Sequence, residues 1–191
     1  MSIAALISAA GGMFGDSAAA WDSIRLVDHD GQPVSLSSYR GALLLVFFGF
    51  THCRVVCPRA LGRISAALER LGPANSAVRP LYITIDPARD TPATMKRFLQ
   101  TNYPRFTGLT GEPEDLVMLQ RAFRVFVTRV EPDAALEEVE FRHTAITYLL
   151  DRDGRHLEHF LDVVDDGQMA RRLMKAINRQ GSFKAPPDRE S

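Results

Sequence analysis

Cys53 and Cys57 are the only two cysteines in this 191-residue chain, and three residues separate them. Thiols at that spacing are neighbours in any compact conformation. One such pair does not make a disulfide framework; it points to redox exchange or to a metal. Thiolates are soft donors that suit Cu(I), with Zn(II) as second choice. A third ligand would complete a trigonal Cu(I) site, and an imidazole is suitable.

The chain offers five histidines. His29 lies in a turn and is expected to be solvated. His156 and His159 are three apart on an expected strand, which would turn them to opposite faces. His52 adjoins Cys53, but adjacent side chains rarely point the same way. His143 stands at the entrance of the apolar run Ala145–Leu150. Spacing alone leaves it open whether His143 is a ligand, a structural residue or a solvated one.

The elements around these residues can be read from the pattern. Leu43–Phe48 is apolar on both faces, as in a central strand covered on both sides. Gly49 permits a turn. The cysteines then fall outside the carboxyl end of that strand, where open α/β sheets hold their sites. Pro58 fits the first position of a following helix, with Leu61, Ile64, Leu68 and Leu71 on its buried stripe. Proline disfavours a helical backbone at Cys57. Cys57 would then sit near the N-cap, where the helix dipole favours a thiolate.

Upstream, Ile24–Val27 and the return from Val34 form a hairpin around Asp28-His29-Asp30-Gly31. Downstream, Val78–Ile85 is a strand, and Thr91 or Asp90 caps a helix that begins with Pro92. Phe106–Leu109 is a short strand before a helix with acids in its first turn. Val130–Glu140 is acidic and reads as a loop or hairpin insertion. Ala145–Leu150 and Arg155–Leu161 form a hairpin, and Asp165 and Asp166 cap a last helix. This order predicts an α/β fold with a mixed sheet between helices and an N-terminal β-hairpin.

The length suits one domain, expected over residues 21–181, with flexible segments at 1–20 and 182–191. Formal net charge is zero and no basic block occurs, which argues against a nucleic-acid partner. No run reaches the length of a spanning helix, about 18 apolar residues. Residues 2–14 are apolar, yet no Lys or Arg precedes them as an export signal requires. That segment reads as an export remnant, a linker after an anchor, or a disordered tail.

Gly49-Phe-Thr-His-Cys53-x-x-x-Cys57-Pro58 resembles the signature of the Sco/SenC family, copper chaperones of cytochrome c oxidase assembly. The similarity continues through Ile83-Thr-Ile-Asp86-Pro-Ala-Arg-Asp90-Thr-Pro92, Phe106–Gly111 and His143–Asp151, in the family's order. The resemblance implies a thioredoxin-like fold and a copper ion, Cu(I) or Cu(II), held by Cys53, Cys57 and His143. It maps the aspartate of the Asp-Pro loop to Asp86, with a supporting or partner-facing role. It implies delivery to the dinuclear copper centre of an oxidase subunit, with a copper donor and a thiol reductase as further partners. The implied location is periplasmic or equivalent, with membrane attachment in the full-length protein. Two departures stand out. Arg54-Val55-Val56 replaces the more common Pro-Asp-Val, and the family's N-terminal anchor has no counterpart here.

The alternative is a thiol–disulfide oxidoreductase, with Cys53 and Cys57 as the redox pair. Against it, thioredoxin-type enzymes use a two-residue spacer and a cis-proline opposite the cysteines. Here no proline occurs between Pro132 and Pro186. The carrier reading makes the chain a metallochaperone rather than an enzyme in the strict sense.

Overall fold

The computed structural model describes residues 23–130 and 140–181. The expectations for 1–20 and 182–191 lie outside this range, as does the middle of the acidic segment.

The central strand β3 (Leu43–Gly49) is buried at every position. It pairs in parallel with β4 (Val78–Thr84), which pairs in parallel with β5 (Thr107–Gly111). An antiparallel hairpin of β1 (Leu26–Asp28) and β2 (Pro33–Val34) closes one side through β1 and β5. On the other side β8 (Ile146–Leu150) and β9 (His156–Leu161) are antiparallel. The seven-stranded order is β2-β1-β5-β4-β3-β8-β9.

Alternation along β3 divides the core in two. Leu43, Leu45 and Phe47 pack with α1 (Val56–Arg70), α2 (Pro92–Asn102) and α4 (Asp166–Arg179). Leu44, Val46 and Phe48 pack on the opposite face with α3 (Pro113–Ala122). A strand with two buried faces cannot show period-two alternation, so its continuous apolar run follows directly. Truncating Phe47 or Phe48, both fully buried, would cost about 3–5 kcal/mol.

Several expectations need correction. Helix α1 begins at Val56, so Pro58 is its third residue and Cys57 its second. The steric bias of a pre-proline residue is overridden, and Arg59 N–H already bonds Val55 C=O. His29 is not solvated: its side chain is 14% exposed and Nδ1 accepts the Gly108 N–H at 3.1 Å, tying the first turn to β5. His156 and His159 do not face opposite sides. A register shift at Leu149/Leu150 accommodates an extra residue in β9, and the two rings stack with centroids 5.8 Å apart. The hairpin reading of the acidic segment agrees with its flanks, which form an antiparallel pair, β6 (Val127–Val130) and β7 (Glu140–His143).

This last pair positions the histidine. Val127 lies opposite His143 in the ladder, and Thr144 Oγ1 accepts the Phe126 N–H. His143 is therefore held at the end of its own strand, beside the β3–α1 connection.

Candidate metal centre

Cys57 is fully buried, while Cys53 is partly exposed; both are free thiols. Cys53 N–H donates to Phe50 C=O at 3.2 Å, closing a turn directly after β3. Cys53 Sγ accepts the Cys57 N–H at 3.3 Å. The sulfur thus acts as the side-chain acceptor at the start of α1, where the N-cap residue Val55 can offer none.

This arrangement polarises the pair. A hydrogen bond with the Cys57 thiol pulls the Cys53 thiol down to about 5, and the N–H groups of Cys57, Val55 and Val56 add to the effect against the cost of burial. Cys57 moves the other way, upward, because it donates to Cys53, lies buried and faces the Cys53 charge. The thiolate predicted from the helix dipole therefore falls on Cys53 rather than Cys57.

His143 Nε2 lies 3.9 Å from Cys57 Sγ. Its Nδ1 is 3.2 Å from Thr144 C=O. A carbonyl can only accept, so Nδ1 carries the proton and the Nε2 lone pair faces the sulfur. A ring nitrogen tied to a backbone carbonyl, with the other free, is the usual posture of a metal-ligating histidine. Burial pushes the imidazole pKa down, against the Thr144 bond and the Cys53 charge, which keeps the ring neutral. The rings of Phe47 and Phe50 stand edge-on to it at 6.1 and 6.3 Å.

Gly49 and Tyr82 complete the inner wall. A Cβ on Gly49 would lie 2.7 Å from Cys57 Sγ and 2.8 Å from Tyr82 Oη, so only glycine leaves room here. Outward, a cavity of about 340 Å³ is lined by Phe50, His52, Cys53, Arg54, Phe141 and His143, among others. Among the described residues, no three His, Cys, Asp or Glu side chains are drawn together tightly enough to hold a metal as they stand. The two sulfurs and the imidazole are neighbours around an open space.

The sequence pattern of the family described as SCO1/SenC matches residues 16–178. A SCO2-like protein of Rickettsia prowazekii is 36% identical over 139 residues, covering 72% of this chain and 68% of that protein. The mitochondrial SCO2 homolog of Mus musculus is 35% identical over 156 residues, 81% of this chain and 59% of its own length. The solved structure of Bradyrhizobium japonicum ScoI with copper bound is 37% identical, with a TM-score of 0.73 over 80% of this chain and 96% of that one. The chain belongs to the SCO1/SenC family. Its fold is the thioredoxin-like fold of the family's solved structures.

Against that family background, Asp86 and Asp90 have distinct roles. Asp86 is buried, and its carboxylate pairs with the Arg89 guanidinium. That guanidinium lies over the rings of Phe50 and Phe141, at 6.0 and 5.9 Å, which pack against each other. Asp86 therefore reaches the histidine wall only through Arg89 and aromatic packing. Its carboxylate forms no hydrogen bond with either thiol or with the imidazole among the described residues.

Asp90 is the residue that sequence reasoning missed. Thr91 caps α2, accepting the Thr94 N–H, and leaves Asp90 free to turn inward. Asp90 is fully buried and accepts from Thr51 N–H at 3.0 Å, Thr51 Oγ1 at 2.5 Å and Thr84 Oγ1 at 2.7 Å. Burial raises its pKa, and the donors from Thr51 and Thr84 oppose that rise. This carboxylate pins the turn that carries His52 and Cys53 to the end of β4. The available signal was two threonines beside apolar strand ends, which need a buried acceptor. Arg54 and Val55 are exposed at the cavity, so the departures from the family pattern fall on its mouth and not on the two cysteines.

Proposed function

We propose that this SCO1/SenC protein is a copper carrier of oxidase assembly. It takes copper on Cys53, Cys57 and His143 and passes it to the dinuclear copper centre of a cytochrome c oxidase subunit. The observation that carries this reading is the aim of His143: from a separate hairpin, its unprotonated Nε2 faces Cys57 Sγ. The solved relative with copper bound supports the choice of metal. Two sulfurs and one imidazole match the soft, low-coordinate preference of Cu(I). The donors are adjacent but not collapsed, so copper draws them together on entry. The open cavity leaves a side from which an acceptor's ligand can enter. The site of action is extracytoplasmic, where that copper centre is assembled. Among the described residues no helix is long and apolar enough to cross a membrane.

The test is titration of the reduced protein with Cu(I), followed by X-ray absorption to count ligands. One equivalent, bound by two sulfurs and one imidazole nitrogen, is expected. A copper shell without sulfur overturns the reading.

A second reading is favoured by the polarised pair. A partly exposed Cys53 thiolate beside a buried Cys57 thiol is the arrangement of an attacking and a resolving sulfur. On this reading Cys53 attacks a partner disulfide, and Cys57 then displaces the reduced partner thiol. The site itself forms the disulfide, and a thiol reductase restores it.

A further inference from the structure

His52 lines the same cavity as Cys53 and His143, and its side chain is 42% exposed. The expectation that it points away from Cys53 does not hold, because the turn closed by Cys53 N–H and Phe50 C=O swings both side chains to the cavity. His52 Nδ1 is 3.1 Å from Thr51 Oγ1. That hydroxyl has a single proton and donates it to Asp90 at 2.5 Å. It can only accept from the ring, so Nδ1 of His52 carries the proton and Nε2 bears the lone pair. The chain Asp90, Thr51, His52 is thus a carboxylate–hydroxyl–imidazole relay that fixes tautomer and orientation, as supporting partners do for metal ligands. His143 is prepared in the same way by Thr144 C=O. Two imidazoles with Nδ1 tied and Nε2 unprotonated line one cavity beside the sulfurs.

The two copper valences ask for different surroundings. Cu(I) is satisfied by soft sulfur donors at low coordination, whereas Cu(II) prefers tetragonal surroundings rich in nitrogen and oxygen. Cys53, Cys57 and His143 supply three donors and leave cupric copper one short.

We propose that His52 is a valence-selective fourth ligand, binding Cu(II) through Nε2 together with Cys53, Cys57 and His143, and leaving Cu(I) to the other three. This rests on the copper-carrier reading. His52 then sets which valence the site retains, and Thr51 and Asp90 are its positioning residues.

The test compares full-length wild type and His52→Ala, each reduced and given one equivalent of Cu(II) or Cu(I). Electron spin-echo spectroscopy with ¹⁵N-histidine counts imidazoles on Cu(II), and chelator competition gives both affinities. Wild type is expected to show two imidazoles on Cu(II). His52→Ala should show one, lose at least about tenfold in Cu(II) affinity and keep its Cu(I) affinity. Thr51→Val, which removes the acceptor for Nδ1 but keeps the ligand, should weaken Cu(II) binding to a smaller degree. A single imidazole in wild type, retained in His52→Ala and lost in His143→Ala, overturns the proposal and leaves the carrier reading standing. Equal losses of Cu(I) and Cu(II) affinity in His52→Ala overturn the valence selectivity. If wild type binds neither ion through sulfur, the carrier reading itself falls.

Discussion

Nε2 of His143 faces Sγ of Cys57 at 3.9 Å, although the two residues lie 86 positions apart in sequence. The contact joins the start of α1 to the end of β7, two elements that meet only because both lie at the carboxyl end of β3. It is a neutral imidazole against a neutral thiol: burial disfavours charge on the ring, and the hydrogen bond to Cys53, with burial second, keeps the Cys57 thiol protonated. On the proposed carrier reading copper displaces that thiol proton, so binding should release protons and strengthen as pH rises.

Replacing His143 with alanine should remove one of three donors while leaving both sulfurs in place. Loss of a supporting partner typically costs 10–100-fold in metal affinity, so loss of a ligand should cost on the order of 100-fold or more for Cu(I). Competition with a chromophoric Cu(I) chelator measures this. Quantitation of the dithiol after mild oxidation should show the Cys53–Cys57 disulfide still forming. Wild-type Cu(I) affinity in the variant would remove His143 from the site.

The asymmetry of the thiols has a direct pH signature. Cys53 should react with iodoacetamide as a thiolate down to about pH 5, while Cys57 stays inert in the folded protein. The leading cause is the Cys57 thiol, so Cys57→Ala should shift the Cys53 midpoint upward. Linkage gives the sign for stability. A folded-state value below the unfolded one stabilises the reduced protein fully at pH above the unfolded thiol value, about 9. That contribution is lost as pH falls through about 5. Alkylation followed by mass spectrometry gives the midpoints, and equal reactivity of the two cysteines would contradict the geometry.

Asp90→Ala should be costly for a residue with no contact to either sulfur. It strands buried or part-buried donors from Thr51 and Thr84. At about 1–3 kcal/mol for an unsatisfied group, the summed cost is about 3 kcal/mol. For a chain of this size that is roughly 6–12 °C in Tm. Asp86→Ala, which loses one ion pair with Arg89, should cost less. Thermal melts of the two variants rank them, and the reverse order would show that the Asp86–Arg89 pair holds the loop instead.

These contrasts show what the sequence could and could not reveal. β3 was legible because a strand covered on both faces is uniformly apolar, and α2 because Thr91 and Pro92 mark its start. The cysteines were legible from their spacing. The assignment of the thiolate was not, because it depends on whether α1 starts before or after Cys57. Local preference at a pre-proline residue gave the later start, while the Cys53 sulfur, accepting the Cys57 N–H, supports the earlier one. Asp90 was hidden because an aspartate beside a cap position reads as a cap. Its true partners, Thr51 and Thr84, come from other segments. His29 and the stacked His156–His159 pair were misread for a similar reason: a hydrogen bond to β5 and an irregular register are both tertiary facts.

Gly49→Ala isolates packing at the sulfur from ligand chemistry. The added Cβ would approach Cys57 Sγ to 2.7 Å and Tyr82 to 2.8 Å, distances that ordinary contacts do not reach. Both neighbours are fully buried, on a strand and in a helix that cannot simply drift apart. Overpacking of this kind costs about 1–3 kcal/mol, and relief requires the Cys57 sulfur to rotate or α1 to shift. Either movement alters the 3.9 Å approach of Cys57 Sγ to His143 Nε2. Cu(I) affinity should therefore fall together with stability, whereas a glycine-to-alanine change on the exposed side of α1, at Gly62, meets open space and should leave both affinity and fold intact. Parallel chelator competition and thermal melts on the two variants check this, and a Gly49→Ala protein with unchanged copper affinity would show that the sulfur position is not set by close packing against β3.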